Sequence, residues 1–487
     1  NTEDRIMVIQ GCAGSGKTSV ALHRIAYLLY HDREHLKSSN VLILSPNSVF
    51  SNYISHILPE LGEENIREMS FDLFAYRELK DTVDDCEDRY DQMERILESP
   101  GEQTRFDRKQ SREFLDDMEE YLLCLEDDLM NFRDLTYRGV LMKDSEIIRL
   151  FYDRFSELPL LSRMQEIFEY YVDEYETLRK TEIREPEIFD LQEKFMRMYE
   201  TTDVYVIYSR FLKEYGWGEL PRVPIERRKL RYEDVYPLLY MKYRLVRTPK
   251  NNRIRHLIID EMQDYTELQY RILKQLFPCR MTILGDRAQT MEEKQRDVLE
   301  FLPSIFGKNI RKIYMNRSYR NTREIAEYAN RLAAIRDMEL LDRHGKPVQE
   351  EDFLDMAEAV DRVVDCLALG EDRYETAAVL TMTQQQAKAA AALLKDRLSA
   401  VGFDVEKRLS YVDRNSSRFV RGLTVTPFYL AKGLEFDQVF AIFGKKEHRQ
   451  PQSLPYRFRN GFHSGRTGHL RHAWLCGHFP RILFDRG

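Results

Sequence analysis

The sequence predicts an α/β fold built on parallel sheets and interrupted by a long α-helical insertion. Three observations lead there. Short apolar runs alternate with helical stretches in the first and last thirds of the chain, and a Gly-rich loop joins the first run to its helix. An acidic segment between them repeats its apolar residues at helical spacing. Alternating short apolar strands and helices is the pattern of a doubly wound sheet covered on both faces.

Taken in order, residues 6–9 are an apolar run of strand length, followed by the loop Gly11 to Thr18 and a helix over 19–30 with Val20, Ile25, Leu28 and Leu29 as its core face. A second strand over 41–44 stops at Ser45-Pro46-Asn47, a third over 257–259 ends at Asp260, and a fourth over 281–284 ends at Gly285-Asp286. From Ile310 the alternation resumes, with a strand to Met315, a helix from Thr322, and strands at 377–380, 423–425 and 439–442. The expected organisation is a first domain over 1–80 plus 231–305, a helical insertion over 81–230, a second domain over 306–448, and a tail over 449–487. In the insertion, Leu115, Met118, Leu122, Leu125 and Leu129, and again Met164, Phe168, Tyr171, Tyr175 and Leu178, recur at spacings of three and four. Such narrow seams predict an antiparallel helical arm, with Tyr121, Tyr170, Tyr171 and Tyr175 as seam residues.

Composition excludes several classes. The 487 residues carry 82 acidic and 74 basic side chains, a net charge of −8. That balance argues against a protein whose main work is wrapping nucleic acid. The charge is uneven: residues 81–200 hold 34 Asp and Glu against 17 Lys and Arg, a net of −17, whereas 449–487 carry seven Arg against Asp485, a net of +6. No apolar run approaches the roughly 20 residues of a membrane span, and the N-terminus has no signal-peptide features. The six cysteines are scattered without a C-x-x-C pair, so a reducing cytoplasm is the expected location. Asn1 is not an initiator, so a fragment is expected.

Gly11-Cys12-Ala13-Gly14-Ser15-Gly16-Lys17-Thr18 matches G-x-x-x-x-G-K-[ST] between a strand and a helix. In such a loop Gly11, Gly14, Ser15 and Gly16 turn the backbone N–H groups onto a β-phosphate, and the helix N-terminus through Ser19 adds partial positive charge. Lys17 reaches the β- and γ-phosphates of ATP and the Thr18 hydroxyl binds Mg²⁺. Asp260 at a strand end is the second expected magnesium ligand, and Glu261 the carboxylate that polarises the attacking water.

Beyond these, Asp260-Glu261-Met262-Gln263-Asp264 resembles motif II of superfamily 1 helicases of the UvrD/Rep type. Leu284-Gly285-Asp286-Arg287-Ala288-Gln289 resembles motif III, Asn316-Arg317-Ser318-Tyr319-Arg320 motif IV, and Ala431-Lys432-Gly433-Leu434-Glu435-Phe436 motif V. The resemblance implies two RecA-like motor domains. It also implies that Gln289 senses the γ-phosphate, Tyr319 stacks on adenine, Arg320 contacts the γ-phosphate, Glu435 faces the ribose and Gly433 belongs to the nucleotide-binding set. The strings over 21–30 and 45–50, Asp264-Tyr265-Thr266 and the acidic insertion are similar to the HelD family of RNA polymerase-recycling ATPases, over about residues 1–448. That likeness implies an RNA polymerase partner, a monomeric motor, no membrane, and 81–230 as a clamp arm.

The sequence departs from the family in three places. Only ten residues precede Gly11, where a glutamine motif is due; Ser19 stands where many UvrD-type helicases have arginine; and no motif VI string follows Gly444. Residues 448–487 instead hold five histidines, seven arginines and no lysine. Three readings of this tail stay open: metal ligation by His469, His472, Cys476 and His478, a nucleic-acid-binding tail, and an off-frame terminus. The expected function is an ATP-hydrolysing motor that binds RNA polymerase and drives its release from nucleic acid, with DNA or RNA as a further partner. The alternatives are a 3′→5′ DNA helicase in repair and a catalytically silent polymerase-binding remnant.

Overall fold

Apolar strands that are buried on both faces read as continuous hydrophobic runs, and the first sheet is made of them. The structure, a computed structural model, describes residues 5–12, 14–45, 66–247, 250–286, 298–318, 322–333, 339–340, 342–367, 374–413, 416, 421–432, 434–443 and 459–460. Strands β1 (Ile6–Gly11), β2 (Val41–Leu44), β3 (Arg67–Met69), β4 (His256–Ile259), β5 (Arg280–Gly285) and β6 (Ile310–Met315) form one sheet in the order β6-β1-β5-β4-β2-β3. Every pairing in it is parallel. The predicted α/β class with parallel sheets is therefore what the chain adopts.

Helix α1 (Lys17–His31) lays Ala21, Leu22, Ile25, Leu28 and Leu29 on Met7, Ile9, Val41, Ile43, Ile258 and Leu284 of the sheet. Val20, expected in this face, is 40% exposed, because it lies off the stripe that Leu22, Ile25 and Leu29 define.

The second domain was expected to begin at 306 with the strand to Met315. That strand is β6, and it pairs with β1 in register from Ile6↔Ile310 to Gly11↔Met315. Residues 310–315 thus complete the first sheet, and Asn316 leaves from the same sheet edge as the Gly-rich loop.

Residues 72–251 with 268–276 form one compact unit and the rest of the chain the other, so the helical portion is longer than the expected 81–230. The helical unit includes α2 (Arg89–Glu98), α3 (Pro100–Lys109), α4 (Arg112–Asp128), α5 (Leu160–Arg179), α6 (Glu185–Met196), α7 (Val204–Glu214) and α8 (Tyr232–Leu245). Twelve of the fourteen residues of α8 are buried, and α2, α3, α5 and α7 all pack on it. Its Glu233 and Asp234, both buried, take Arg95 at 3.0 Å, Arg105 at 3.2 Å, and Lys109. The two predicted seams are real apolar faces, with Leu115, Met118, Leu122, Leu125, Met164, Phe168, Tyr171 and Tyr175 buried, although Leu178 is exposed. They do not make a two-helix arm: α4 packs on α3, and α5 packs on α6 and α8. The physical reason is that other elements cover them: α8, which the expected boundary assigned elsewhere, packs on α5, and α7 packs on α4 through Phe211 against Phe114 and Tyr121.

A second parallel sheet has the order β8-β9-β7-β10, from β7 (Ala377–Thr381), β8 (Leu409–Tyr411), β9 (Leu423–Pro427) and β10 (Gln438–Ala441). Helix α9 (Gln384–Ala400) follows β7, opened by a capping box in which Thr383 and Gln386 satisfy each other's backbone N–H. No helix among the described residues is long and apolar enough to cross a membrane.

Candidate functional site

The C-terminal ends of β1, β4 and β5 meet at one edge of the first sheet, where a parallel α/β fold places its ligands. The loop after β1 turns through positive φ at Gly14 (69°) and Gly16 (83°), a region that side chains with a Cβ enter at a cost. At Gly11 the constraint is contact: a Cβ there would lie 2.4 Å from Ser15 Oγ. Ser15 N–H donates to Cys12 O at 3.1 Å and closes the loop, and Val20 N–H donates to Gly16 O at 3.0 Å and begins α1. Lys17 Nζ spans the loop, donating to Gly11 O at 2.7 Å and Cys12 O at 3.1 Å. Ser15 Oγ is buried without a hydrogen-bond partner among the described residues. Thr18 and Ser19 lie in the first turn of α1, whose N–H groups lack intrahelical partners.

Asp260 follows β4, and its N–H donates to Leu44 O at 2.9 Å. Desolvation first, then the adjacent Glu261 carboxylate, push the Asp260 carboxyl up to about 7, against the pull of the Lys17 and Lys432 charges. Glu261 has φ 54°, ψ 49°, the left-handed region that a residue with a Cβ seldom occupies. Gln263 Nε2 donates to Glu261 Oε2, and Gln263 Oε1 accepts from Asp286 N–H at 3.0 Å. This junction leaves no room for a side chain at Gly285, where a Cβ would meet Gln263 Oε1 and Met262 Cγ at 2.4 Å each. The ends of β4 and β5 are therefore locked together through Gln263.

The loop after β9 reaches the same place. Lys432, 5% exposed, donates through Nζ to Asp264 Oδ2 and stands 3.7 Å from Glu261 Oε2. Glu435, three residues on, is exposed. Gln289, Tyr319, Arg320 and Gly433 lie outside the described residues. So do His469, His472, Cys476 and His478 of the tail; among the described residues no cluster of His, Cys, Asp and Glu could by itself hold a metal.

The structure thus gathers the Gly-rich loop with Lys17, the Asp260–Glu261 pair and Lys432. The sequence alone gives Lys432, Gln263 and Asp264 no individual role, although all three sit in the helicase-like strings. Membership of those strings was their signal, and the partnership of Lys432 with Asp264 spans 168 residues of chain. A half-buried carboxylate pair beside a phosphate-type loop and two lysines can hold a polyphosphate with a divalent cation and present a carboxylate to water.

Residues 1–291 match the UvrD/REP helicase N-terminal domain family. The ATP-dependent DNA helicase Rep of Buchnera aphidicola subsp. Baizongia pistaciae (strain Bp) is 28% identical over 143 residues, which cover 28% of this chain and 19% of that protein. The chain thus spans about a fifth of the length of that relative.

Proposed function

The chain belongs to the UvrD/REP helicase family, and from that premise we propose that it is an ATP-hydrolysing superfamily 1 motor acting at the edge of its first sheet. The observation that carries this reading is the convergence of Lys17, Asp260 and Glu261 at the ends of β1 and β4. The loop N–H groups and Lys17 bind the β- and γ-phosphates. Asp260 is a half-buried oxygen donor held beside a second carboxylate, and with the Thr18 hydroxyl it fits magnesium, which when bound neutralises charge on the phosphates. Glu261 orients and polarises the attacking water, its side chain fixed by Gln263 and flanked by Lys432. By family resemblance Gln289 senses and Arg320 contacts the γ-phosphate, Tyr319 stacks on adenine, Glu435 faces the ribose and Gly433 binds the nucleotide. The test is ATP turnover: Lys17→Ala and Glu261→Gln each abolish it, and near-wild-type turnover from either variant overturns the assignment.

The work done with ATP is, in this reading, the release of RNA polymerase from nucleic acid. Support comes from the helical unit, whose residues 81–200 carry a net charge of −17 and so repel a phosphate backbone and suit a basic protein surface. A second reading, 3′→5′ unwinding of DNA, is favoured by the likeness to the Rep helicase. Retention of polymerase subunits at high salt supports the first; strand displacement without polymerase supports the second.

A further inference from the structure

We infer that His344 is a proton-dependent pin that fastens the segment over 342–345 onto the start of the helix Arg323–Ala333. That segment caps the helix. Arg323 N–H, in the first turn and so without an intrahelical partner, donates to Arg343 O at 2.8 Å. Gly345 N–H donates to Glu324 Oε2 at 2.8 Å. The two pieces of chain lie so close that a Cβ on Gly345 would stand 2.7 Å from Thr322 Cγ2.

The imidazole bridges the contact. Its Nδ1 lies 2.8 Å from Glu324 Oε1 on the helix, and its Nε2 lies 3.1 Å from Asp342 Oδ1 on the capping segment. A neutral imidazole has one N–H, so one of its nitrogens would set a bare lone pair against a carboxylate oxygen. Only the imidazolium donates to both carboxylates at once, and both bonds are then charge-assisted. The bond to Glu324, then that to Asp342, raises the His344 pKa above its ordinary 6.5. The bond from His344, the largest influence on Glu324, helps hold that carboxyl down to about 2.

Other charges surround the pin. Arg323 is bonded to Glu327 at 2.8 Å and stands 3.8 Å from Asp342, beyond hydrogen-bonding reach. Arg343 and Lys346 have partners of their own. In the neighbouring strand pair Arg317 stands 3.7 Å from Glu339, and further along Glu350 accepts from Tyr328 at 2.5 Å. A group whose folded pKa is raised holds its contact below the unfolded value and loses it as pH rises through the folded one. The pin is therefore closed below about pH 6.5 and opens towards alkaline pH. His344 is 62% exposed, so opening releases the capping segment and leaves the fold in place. The capped helix starts three residues after Arg320, but the inference does not rest on the role given to that arginine.

The test titrates the full chain, carbon-13 labelled at histidine Cε1, by NMR, with the His344 signal assigned through His344→Gln or His344→Asn. Hydrogen exchange of segments 323–326 and 342–346, corrected for intrinsic rates, is followed by mass spectrometry over the same pH range. In the wild type His344 titrates above 6.5, and Glu324→Gln/Asp342→Asn brings it back to about 6.5. Both segments exchange about tenfold faster once pH passes the His344 titration, and His344→Gln exchanges at the fast rate throughout. Titration of wild-type His344 at or below 6.5 overturns the proposal, as does exchange that is indifferent to its charge. If the carboxylate variant unfolds, the wild-type titration and exchange profile decide by themselves.

Discussion

Lys432 donates a hydrogen bond to Asp264, which lies 168 residues earlier in the chain, and both side chains are almost fully buried. The same ammonium stands 3.7 Å from Glu261 Oε2, so the loop after β9 touches the carboxylate proposed to orient water. Removing one partner of a buried pair costs about 3–5 kcal/mol, because the other charge stays desolvated. Lys432→Met should therefore lower the melting temperature by several degrees and reduce ATP turnover at least tenfold. Adding Asp264→Asn should recover stability without recovering turnover. Thermal unfolding and steady-state ATPase check both, and a single variant as stable as wild type would refute the pairing.

Glu261 gives a stability–function trade. Its left-handed backbone costs on the order of 1–2 kcal/mol for a residue with a Cβ, of which glycine's greater chain entropy takes back part. Glu261→Gly should raise the melting temperature while abolishing ATP turnover. A lowered melting temperature would show that the side chain's bond to Gln263 outweighs the backbone strain.

Gly285 is required by contact. An added Cβ would lie 2.7 Å from Met262 N as well as 2.4 Å from Gln263 Oε1, and backbone cannot give way as a flexible side chain can. Gly285→Ala should destabilise by about 1–3 kcal/mol in denaturant unfolding. It should also lower kcat, since the displaced Gln263 no longer holds Glu261.

His256 predicts acid sensitivity. Its imidazole is buried and neutral, bonded to Thr282 Oγ1 at 2.9 Å, and burial pushes it from 6.5 down to about 3. The unfolded chain therefore binds the proton first, so stability is full above about pH 6.5 and is lost as pH falls towards 3. The slope approaches about 1.4 kcal/mol per pH unit within that window. Chemical denaturation between pH 7 and 5 should show it, and His256→Gln should flatten it. An unchanged slope in the variant would remove His256 as the cause.

The sequence by itself determined the strands at 6–9, 41–44, 257–259 and 281–284, because a strand buried on both faces must be apolar throughout. It also showed the G-x-x-x-x-G-K-[ST] string and the Asp260–Glu261 pair, for which phosphate and magnesium binding are proposed here, because their residues are adjacent in the chain. It misplaced residues 310–315, since an apolar strand does not say which sheet it joins; pairing with β1 decided that. It read two apolar seams as an arm because spacing shows that a face is apolar but not what covers it; here the buried α8 packs on α5 and α7 packs on α4. Lys432 shows the same limit. A lysine in a recognised string is an exposed cation on paper, and only the fold carries it into contact with Asp264 and Glu261, where desolvation turns a single ion pair into part of the site.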